Sequence, residues 1–190
     1  MEKQEIRTSL IRILQRAYSG ELAAAYAYRG HWKSLSNTGE IAGIRRIESE
    51  EWTHRANVGC MLSSLGSGPV RIKEFRCRVV GRAVGLACHL LGWFLPMYIA
   101  GKLECANTEE YRTAASYARK LGLTDFDQEL TVMSAVEKEH ELFFLGAVSN
   151  HRLLPLASRV FNWGNPESEV SIDDAWAEAH SVRPPHPSIR

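Results

Sequence analysis

Apolar residues recur at intervals of three and four along four long segments, and each stripe is interrupted by acidic or imidazole side chains. In one segment Ile44, Ile47 and Val58 share a stripe with Glu51 and His54. Residues at this spacing lie on one face of an α-helix. Since carboxylates are almost never fully buried without a partner, the chain must fold into helices whose shared interior neutralises its own charges.

Glycine and proline clusters separate the four helical segments, and no run of alternating β-branched residues predicts a strand. The short connections within the first and last pairs predict two antiparallel hairpins. We therefore predict an all-α fold, a four-helix bundle of two antiparallel hairpins joined by a long crossover. The predicted segments run from about Glu5 to Lys33, from about Gly39 to Leu65, from after Arg71 to Leu121-Gly122, and from after Thr124-Asp125 to about Ser149.

Length and composition favour one packed domain followed by an extension. The 190 residues are 45% hydrophobic and 24% charged, which excludes wholesale disorder. We assign residues 1–150 to the bundle and 151–190 to a C-terminal extension, amphipathic at first and then a flexible tail around 183–187. The formal net charge of +1 argues against nucleic-acid binding. The four cysteines form no CxxC pair, which argues against a zinc ribbon and indicates reduced thiols.

Six polar residues on the inward stripes are candidate metal ligands. Four carboxylates and two imidazoles facing one interior would be strongly unfavourable without a counter-charge, and two divalent cations supply four positive charges. A carboxylate and imidazole set without thiolates favours iron, with manganese as the alternative, over zinc or copper. The predicted ligands are Glu21, Glu51, His54, Glu104, Glu137 and His140.

The spacing of these residues supports a shared site. Glu51 and His54 form a Glu-x-x-His pair one helical turn apart, and Glu137 and His140 form a second. Each pair follows a single inward Glu, by 30 residues in the first half and 33 in the second. One Glu-x-x-His pair is a weak signal, but this doubled pattern is typical of di-iron carboxylate bundles. The alternative is a bundle whose Glu and His residues only hydrogen-bond to one another.

Three further acidic residues lie beside these ligands in the sequence. We interpret Glu48, Glu50 and Glu139 as surface charges, solvated or in hydrogen-bonded pairs, outside the ligand set.

The motifs resemble those of a known family. The block Gly20-Glu21-x-x-Ala24-x-x-x-Tyr28-x-Gly30 resembles the first-helix signature of the demethoxyubiquinone hydroxylases, members of the ferritin-like superfamily. Both Glu-x-x-His pairs match that family's motifs, and Glu104 with Tyr111 seven residues later resembles its third-helix pattern. The similarity extends from about Arg16 to Leu145.

This resemblance implies a ferritin-like bundle with a carboxylate-bridged di-iron centre. Glu51 and Glu137 would bridge the ions, and Glu21 and Glu104 would be terminal ligands. It also implies a membrane-associated monooxygenase of ubiquinone biosynthesis, which hydroxylates a quinone-like hydrophobic substrate with O₂. The sequence does not identify the electron donor. We expect a cytoplasmic protein with peripheral contact at the inner face of the membrane, and a homodimer is a candidate assembly.

Two tyrosines are candidate catalytic residues. Tyr28 and Tyr111 each follow a predicted ligand by seven residues on the same helix face. They are expected to hydrogen-bond beside the metals or to relay an electron; the alternative is that they are core tyrosines with locally satisfied hydroxyls.

The apolar run 92–99 leads into Glu104. Together with the basic crossover it could be a lipid-facing substrate entry, or an ordinary core helix kinked by Pro96. Two other functions stay open: a rubrerythrin-like or ferritin-like peroxidase or ferroxidase, and a non-catalytic metal-binding bundle. The basic residues of the crossover are Arg71, Lys73, Arg76, Arg78 and Arg82.

Overall fold

The computed structural model describes residues 2–164, and all the secondary structure in that range is helical, which confirms the all-α prediction. Four helices pack into a bundle in which α1 contacts α2 and α4, and α5 contacts α4 and α2. The helices are α1 (Lys3–Lys33), α2 (Thr38–Ser64), α3 (Arg71–Ala87), α4 (Phe94–Leu121), α5 (Thr124–Val148) and α6 (Leu154–Phe161).

The two hairpins are antiparallel, as expected from their short connections. Arg7 near the start of α1 donates a hydrogen bond to the carbonyl of Leu65, just beyond the end of α2. Arg119 near the end of α4 pairs with Asp127 in the first turn of α5 at 2.8 Å. The α1–α2 loop starts α2 with Asn37, whose side chain accepts from two backbone N–H groups. The α4–α5 turn is made by Gly122 at φ 76°, a conformation that favours glycine.

The crossover is itself a helix. Because α2 and α4 both run antiparallel to α1, the chain must return along the bundle between them, and α3 makes this return while packing against α1. The segment expected to start after Arg71 is thus two helices, separated by residues 88–93, where Gly92 has a φ of 73°.

The expected kink at Pro96 is wrong, but Met97 and Tyr98 are buried in the apolar core, as the alternative of a core helix predicted. Pro96 is the third residue of α4, where its missing N–H breaks no intrahelical bond.

The backbones of α1 and α3 approach closely at small residues. A Cβ placed on Gly81 would overlap the carbonyl oxygen of Ala23, and one on Gly30 would overlap the backbone of Gly85. Only residues without a side chain, or with a minimal one, allow this approach.

Two apolar clusters fill the ends of the bundle and leave a polar layer between them. The first is built around Leu10, Leu14, Val58, Leu62, Ala114 and Leu130. The second is built around Ile44, Ile47, Met97, Tyr98, Phe144 and Val148.

The first part of the C-terminal extension packs against the second cluster. Trp163 donates from its indole to Glu141 at 2.9 Å, and its carbonyl accepts from the Tyr98 hydroxyl at 2.7 Å. Its ring also occupies the space that a Cβ on Gly101 would need. The division expected at residue 150 stays a prediction, and the tail expected around 183–187 lies outside the described residues.

Within residues 2–164, no helix combines the length and the apolar character needed to cross a bilayer.

Replacing Gly81 with alanine should separate α3 from α1, because the new methyl group would overlap backbone and not a movable side chain. We expect a loss of about 1–3 kcal/mol in the free energy of unfolding, measured with urea. The matched control is Gly146→Ala on α5, where no atom lies within 4 Å of the new Cβ. That control should be neutral or stabilising, and equal losses in both variants would contradict the close α1–α3 contact.

Candidate metal centre

The structure brings all six predicted ligand residues together in the polar layer of the bundle. Glu51, Glu104, Glu137 and His140 have no exposed surface, and Glu21 and His54 are each 4% exposed. They come from four helices, with one carboxylate each from α1 and α4 and one Glu-x-x-His pair each from α2 and α5.

The ligand atoms form two overlapping groups. Glu21, Glu51, His54 and Glu137 each offer an oxygen or nitrogen within 4.8 Å of the others, and the same is true of Glu51, Glu104, Glu137 and His140. Glu51 and Glu137 belong to both groups. This geometry can hold two metal ions, with the shared carboxylates between them and one imidazole on each side.

The hydrogen bonding of the cluster fits the binding of cations. Several of its buried atoms have no hydrogen-bond partner: Glu21 Oε2, both carboxylate oxygens of Glu51, Glu137 Oε2 and His140 Nδ1. Each unpaired buried polar atom destabilises a fold by about 1–3 kcal/mol. Metal ions would satisfy all of these atoms at once, so the residues present fit a two-metal centre.

The electrostatics of the cluster agree with this. Burial raises the pKa of Glu51 well above its usual range, and the neighbouring carboxylates of Glu21 and Glu137 raise it further. Burial and the negative charge of Glu137 also raise the pKa of Glu104 well above its usual range. Burial alone would also raise the pKa of Glu137, but the neighbouring imidazoles of His140 and His54 outweigh burial and lower that pKa. Without cations the cluster therefore retains protons, which metal binding would release.

Glu50 orients one of the two imidazoles. Its Oε2 lies 2.9 Å from His140 Nε2, while His140 Nδ1 faces the cluster, 3.4 Å from Glu51 Oε1 and 3.6 Å from Glu137 Oε2. A carboxylate on the far nitrogen fixes the tautomer of a histidine ligand and strengthens it as a donor.

The interpretation of Glu48 and Glu139 as surface charges is wrong, because both are buried, whereas the Glu50 side chain is 20% exposed. Glu48 is 9% exposed and Glu139 is 7% exposed. Glu48 accepts hydrogen bonds from Arg29 at 2.7 Å and from the Trp32 indole at 2.8 Å. Glu48 directly follows the inward residue Ile47 on α2, and Glu50 directly precedes the inward residue Glu51. This position was the signal that the sequence offered, but helical spacing alone did not reveal the hydrogen-bond partners of the two residues.

The two candidate tyrosines are buried beside the ligands. The Tyr28 hydroxyl on α1 donates to Glu104 on α4, and the Tyr111 hydroxyl on α4 donates to Glu21 on α1. Each tyrosine thus holds the carboxylate of the opposite helix. Asn107, which the sequence reasoning missed, donates to the second oxygen of Glu104 at 2.9 Å. An electron-relay role for the tyrosines stays a prediction.

A cavity of about 510 Å³ opens between α1, α3 and α4 and reaches the ligand cluster. Glu21, Glu104, Tyr28 and Tyr111 contribute to its wall. The rest of the wall is largely apolar, including Ala24, Ala27, Val80, Val84, Leu95 and Ile99. An apolar molecule of moderate size can therefore reach the carboxylates without crossing the hydrophobic clusters.

Replacing Glu51 with glutamine should have effects of opposite sign with and without metal. In the metal-free protein the variant should be as stable as the parent or more so, because it removes a buried carboxylate with two unpaired oxygens. With Fe²⁺ or Mn²⁺ present at about 100 times its dissociation constant, the parent should gain about 2.7 kcal/mol for each ion bound, and the variant should gain much less. Thermal unfolding and metal analysis measure both effects, with two ions per chain expected in the parent.

Glu109→Gln is the matched control, because Glu109 lies exposed on α4 in a pair with Arg112. It should bind metal like the parent. A Glu51→Gln variant that still binds two ions with unchanged stabilisation would show that the cluster is not a metal centre.

The chain is similar to a curated protein of Dictyostelium discoideum, the NADPH-dependent 3-demethoxyubiquinone 3-hydroxylase, mitochondrial. The two are 24% identical over 157 residues, which cover 82% of this chain and 72% of the relative. No protein-family model and no solved structure matches the chain. The similarity to the Dictyostelium discoideum protein supports the resemblance of the sequence motifs to those of the demethoxyubiquinone hydroxylases, at a modest identity.

Proposed function

We propose that this protein is a di-iron monooxygenase that uses O₂ to hydroxylate a quinone-like hydrophobic substrate. The observation that carries the proposal is the apolar cavity, whose wall includes Glu21 and Glu104 of the buried cluster of four carboxylates and two imidazoles able to hold two ions. Iron is proposed over manganese because the relative is named as a hydroxylase, and because carboxylate and imidazole ligands suit iron in oxygen chemistry. Bound iron would supply the redox chemistry that activates O₂.

The protein's own residues would hold the ions and lie next to the bound substrate. Glu51 and Glu137 would be shared by the two ions, since both belong to both ligand groups. Glu21 and Glu104 are terminal candidates, each fixed by a tyrosine hydroxyl from the opposite helix. These hydrogen bonds limit how far the terminal carboxylates can swing when the charge of the centre changes. The hydroxyls also stand at the cavity wall, next to the place where a substrate would bind.

The cavity wall would select the substrate and exclude water. Alanines of α1 and branched residues of α3 and α4 line it, so a flat apolar ring fits and a hydrated polar molecule is disfavoured. A dry site prevents the loss of oxidising power to water. The relative's name specifies NADPH dependence, which makes NADPH the first electron donor to test.

We further propose that the protein attaches peripherally to a membrane through α3 and the loop that follows it. Phe75 is 63% exposed, Leu86 72% and Leu90 88%, an unusual concentration of apolar surface for a water-facing helix. Val84 is both exposed and part of the cavity wall, so the mouth of the cavity opens on this apolar face. The basic residues of α3 would contact anionic headgroups. A lipid-dissolved substrate could then enter without crossing water.

The activity is tested by loading the protein anaerobically with Fe²⁺ and adding NADPH, a short-chain demethoxyubiquinone and ¹⁸O₂. We expect a hydroxylated product that contains one ¹⁸O atom, detected by mass spectrometry. Glu104→Gln should abolish it, and Glu109→Gln should retain it, because the first residue is a proposed ligand and the second is exposed.

Other outcomes would point elsewhere. Rapid peroxide consumption without a quinone would favour a rubrerythrin-like peroxidase. Fewer than two ions bound per chain would favour a non-catalytic bundle.

Leu86→Glu should weaken membrane attachment, because it places a charge in the proposed lipid-facing surface. We expect at least a several-fold drop in co-sedimentation with vesicles that contain anionic lipid. Gln128→Glu adds the same charge on α5, away from α3, and should sediment like the parent. Equal binding by both variants, or none by the parent, would contradict attachment through this face.

A further inference from the structure

His31 is a buried imidazole in the wall of the cavity, outside the metal-ligand cluster. It lies on α1, is 2% exposed, and its Nε2 atom has no hydrogen-bond partner. Its ring lies nearly parallel to that of Phe144, with centroids 6.3 Å apart and an interplanar angle of 7°. The ring is therefore held in place by packing, while its polar nitrogen is left unsatisfied.

The other polar side chains of the wall have partners. Arg16 pairs with Glu110 at 2.8 Å, Asn107 donates to Glu104, and both tyrosine hydroxyls donate to carboxylates. Among the cavity-wall residues that the structure describes, His31 and Cys88 are the polar ones whose side chains make no hydrogen bond. Buried polar groups in folded proteins are nearly always paired, so an exception calls for a partner from elsewhere.

The imidazole is neutral in the folded protein. Burial lowers the pKa of His31 to about 4, so near neutral pH one ring nitrogen carries a hydrogen and the other carries a lone pair. Such a ring can donate to a carbonyl or ether oxygen, or accept from a hydroxyl. It attracts neither anions nor metal ions by charge, which suits an uncharged oxygenated molecule.

The position of His31 suits contact with a ring that also reaches the metal cluster. It follows Tyr28 by three residues, so its Cα lies about 4.5 Å further along α1 on the same face. Tyr28 donates to Glu104 and also stacks on Phe144, with centroids 5.7 Å apart. A six-membered ring with one edge near Glu104 and Tyr28 would thus bring an oxygen on its far edge toward the imidazole.

We propose that His31 is a substrate-binding residue, which hydrogen-bonds an oxygen substituent of an otherwise apolar ring and so determines which edge of that ring faces the carboxylate cluster. The proposal rests on the function proposed above for the cavity and assigns to His31 the preference for an oxygenated ring over a plain hydrocarbon. His31 confers this preference because the rest of the free wall is apolar.

Binding of two matched probes tests this without turnover. Duroquinone and durene carry the same four methyl groups on a six-membered ring, and only duroquinone has ring oxygens. Their affinities for the full-length chain, kept under argon, are measured by calorimetry. In the parent, duroquinone should bind more tightly than durene. His31→Leu should weaken the binding of duroquinone by about 5–20-fold, the effect of one lost hydrogen bond. The affinity for durene should change by less than about twofold. His31→Gln, which keeps a donor and an acceptor, should restore most of the difference.

His89→Leu is the matched control, since His89 is exposed and outside the cavity wall. It should leave both affinities unchanged. Thermal unfolding separates binding from packing: His31→Leu removes an unpaired buried nitrogen and should not lower the melting temperature. A lower melting temperature with an equal loss of both probes, or no change in either affinity, would overturn the proposal.

The outcome is separate from that of the hydroxylation test. A protein that loses duroquinone preference in His31→Leu but forms no ¹⁸O product would support the binding role and contradict the monooxygenase. A protein that forms the product but binds both probes equally would support the monooxygenase and contradict the binding role of His31.

Discussion

Buried negative charge at the centre of the bundle is the constraint on which the rest of this structure depends. Each of four carboxylates lies within 4.8 Å of at least two of the others, fully or almost fully out of contact with water. Histidines and tyrosines neutralise part of this charge by hydrogen bonding, but atoms such as both oxygens of Glu51 are left without partners. The apolar clusters on either side must therefore stabilise a fold whose middle layer opposes folding until cations bind. This arrangement lowers the stability of the metal-free fold and keeps the metal site preformed.

The crossover helix converts this bundle into a molecule with an accessible site. If α1 and α4 met directly along their whole length, the ligand cluster would be sealed. Instead α3 lies against α1, held close at Gly81 and Gly85, and the space between α1, α3 and α4 is the cavity. The same helix turns apolar side chains such as Phe75 outward. One element thus forms both the wall of the cavity and the surface around its mouth.

The sequence predicted the bundle and the membership of the ligand cluster because both depend on helical periodicity. Inward spacing places Glu51 and His54 on one face whatever the partner helices are, and doubled motifs imply a shared interior. It did not predict contacts made by neighbours of that face. In the sequence Glu50 looks like a surface charge, but in the folded protein it contacts His140 on α5. Likewise α3 ends at Ala87, and the chain passes through Gly92 with positive φ before α4 begins, but in the sequence this apolar run is equally compatible with one continuous helix.

Phe144 gives the C-terminal extension a physical connection to the cavity. One ring on α5 lies beside both Tyr28 and His31, and its own helix carries Glu141, the acceptor for the Trp163 indole. Trp163 and Phe144 also crowd the same small residue, Gly101. Trp163, which follows the last bundle helix, therefore lies close to the same residue as Phe144, whose ring packs beside two residues of the cavity wall. Substitutions in a segment without any metal ligand can in this way change how a bound molecule is held.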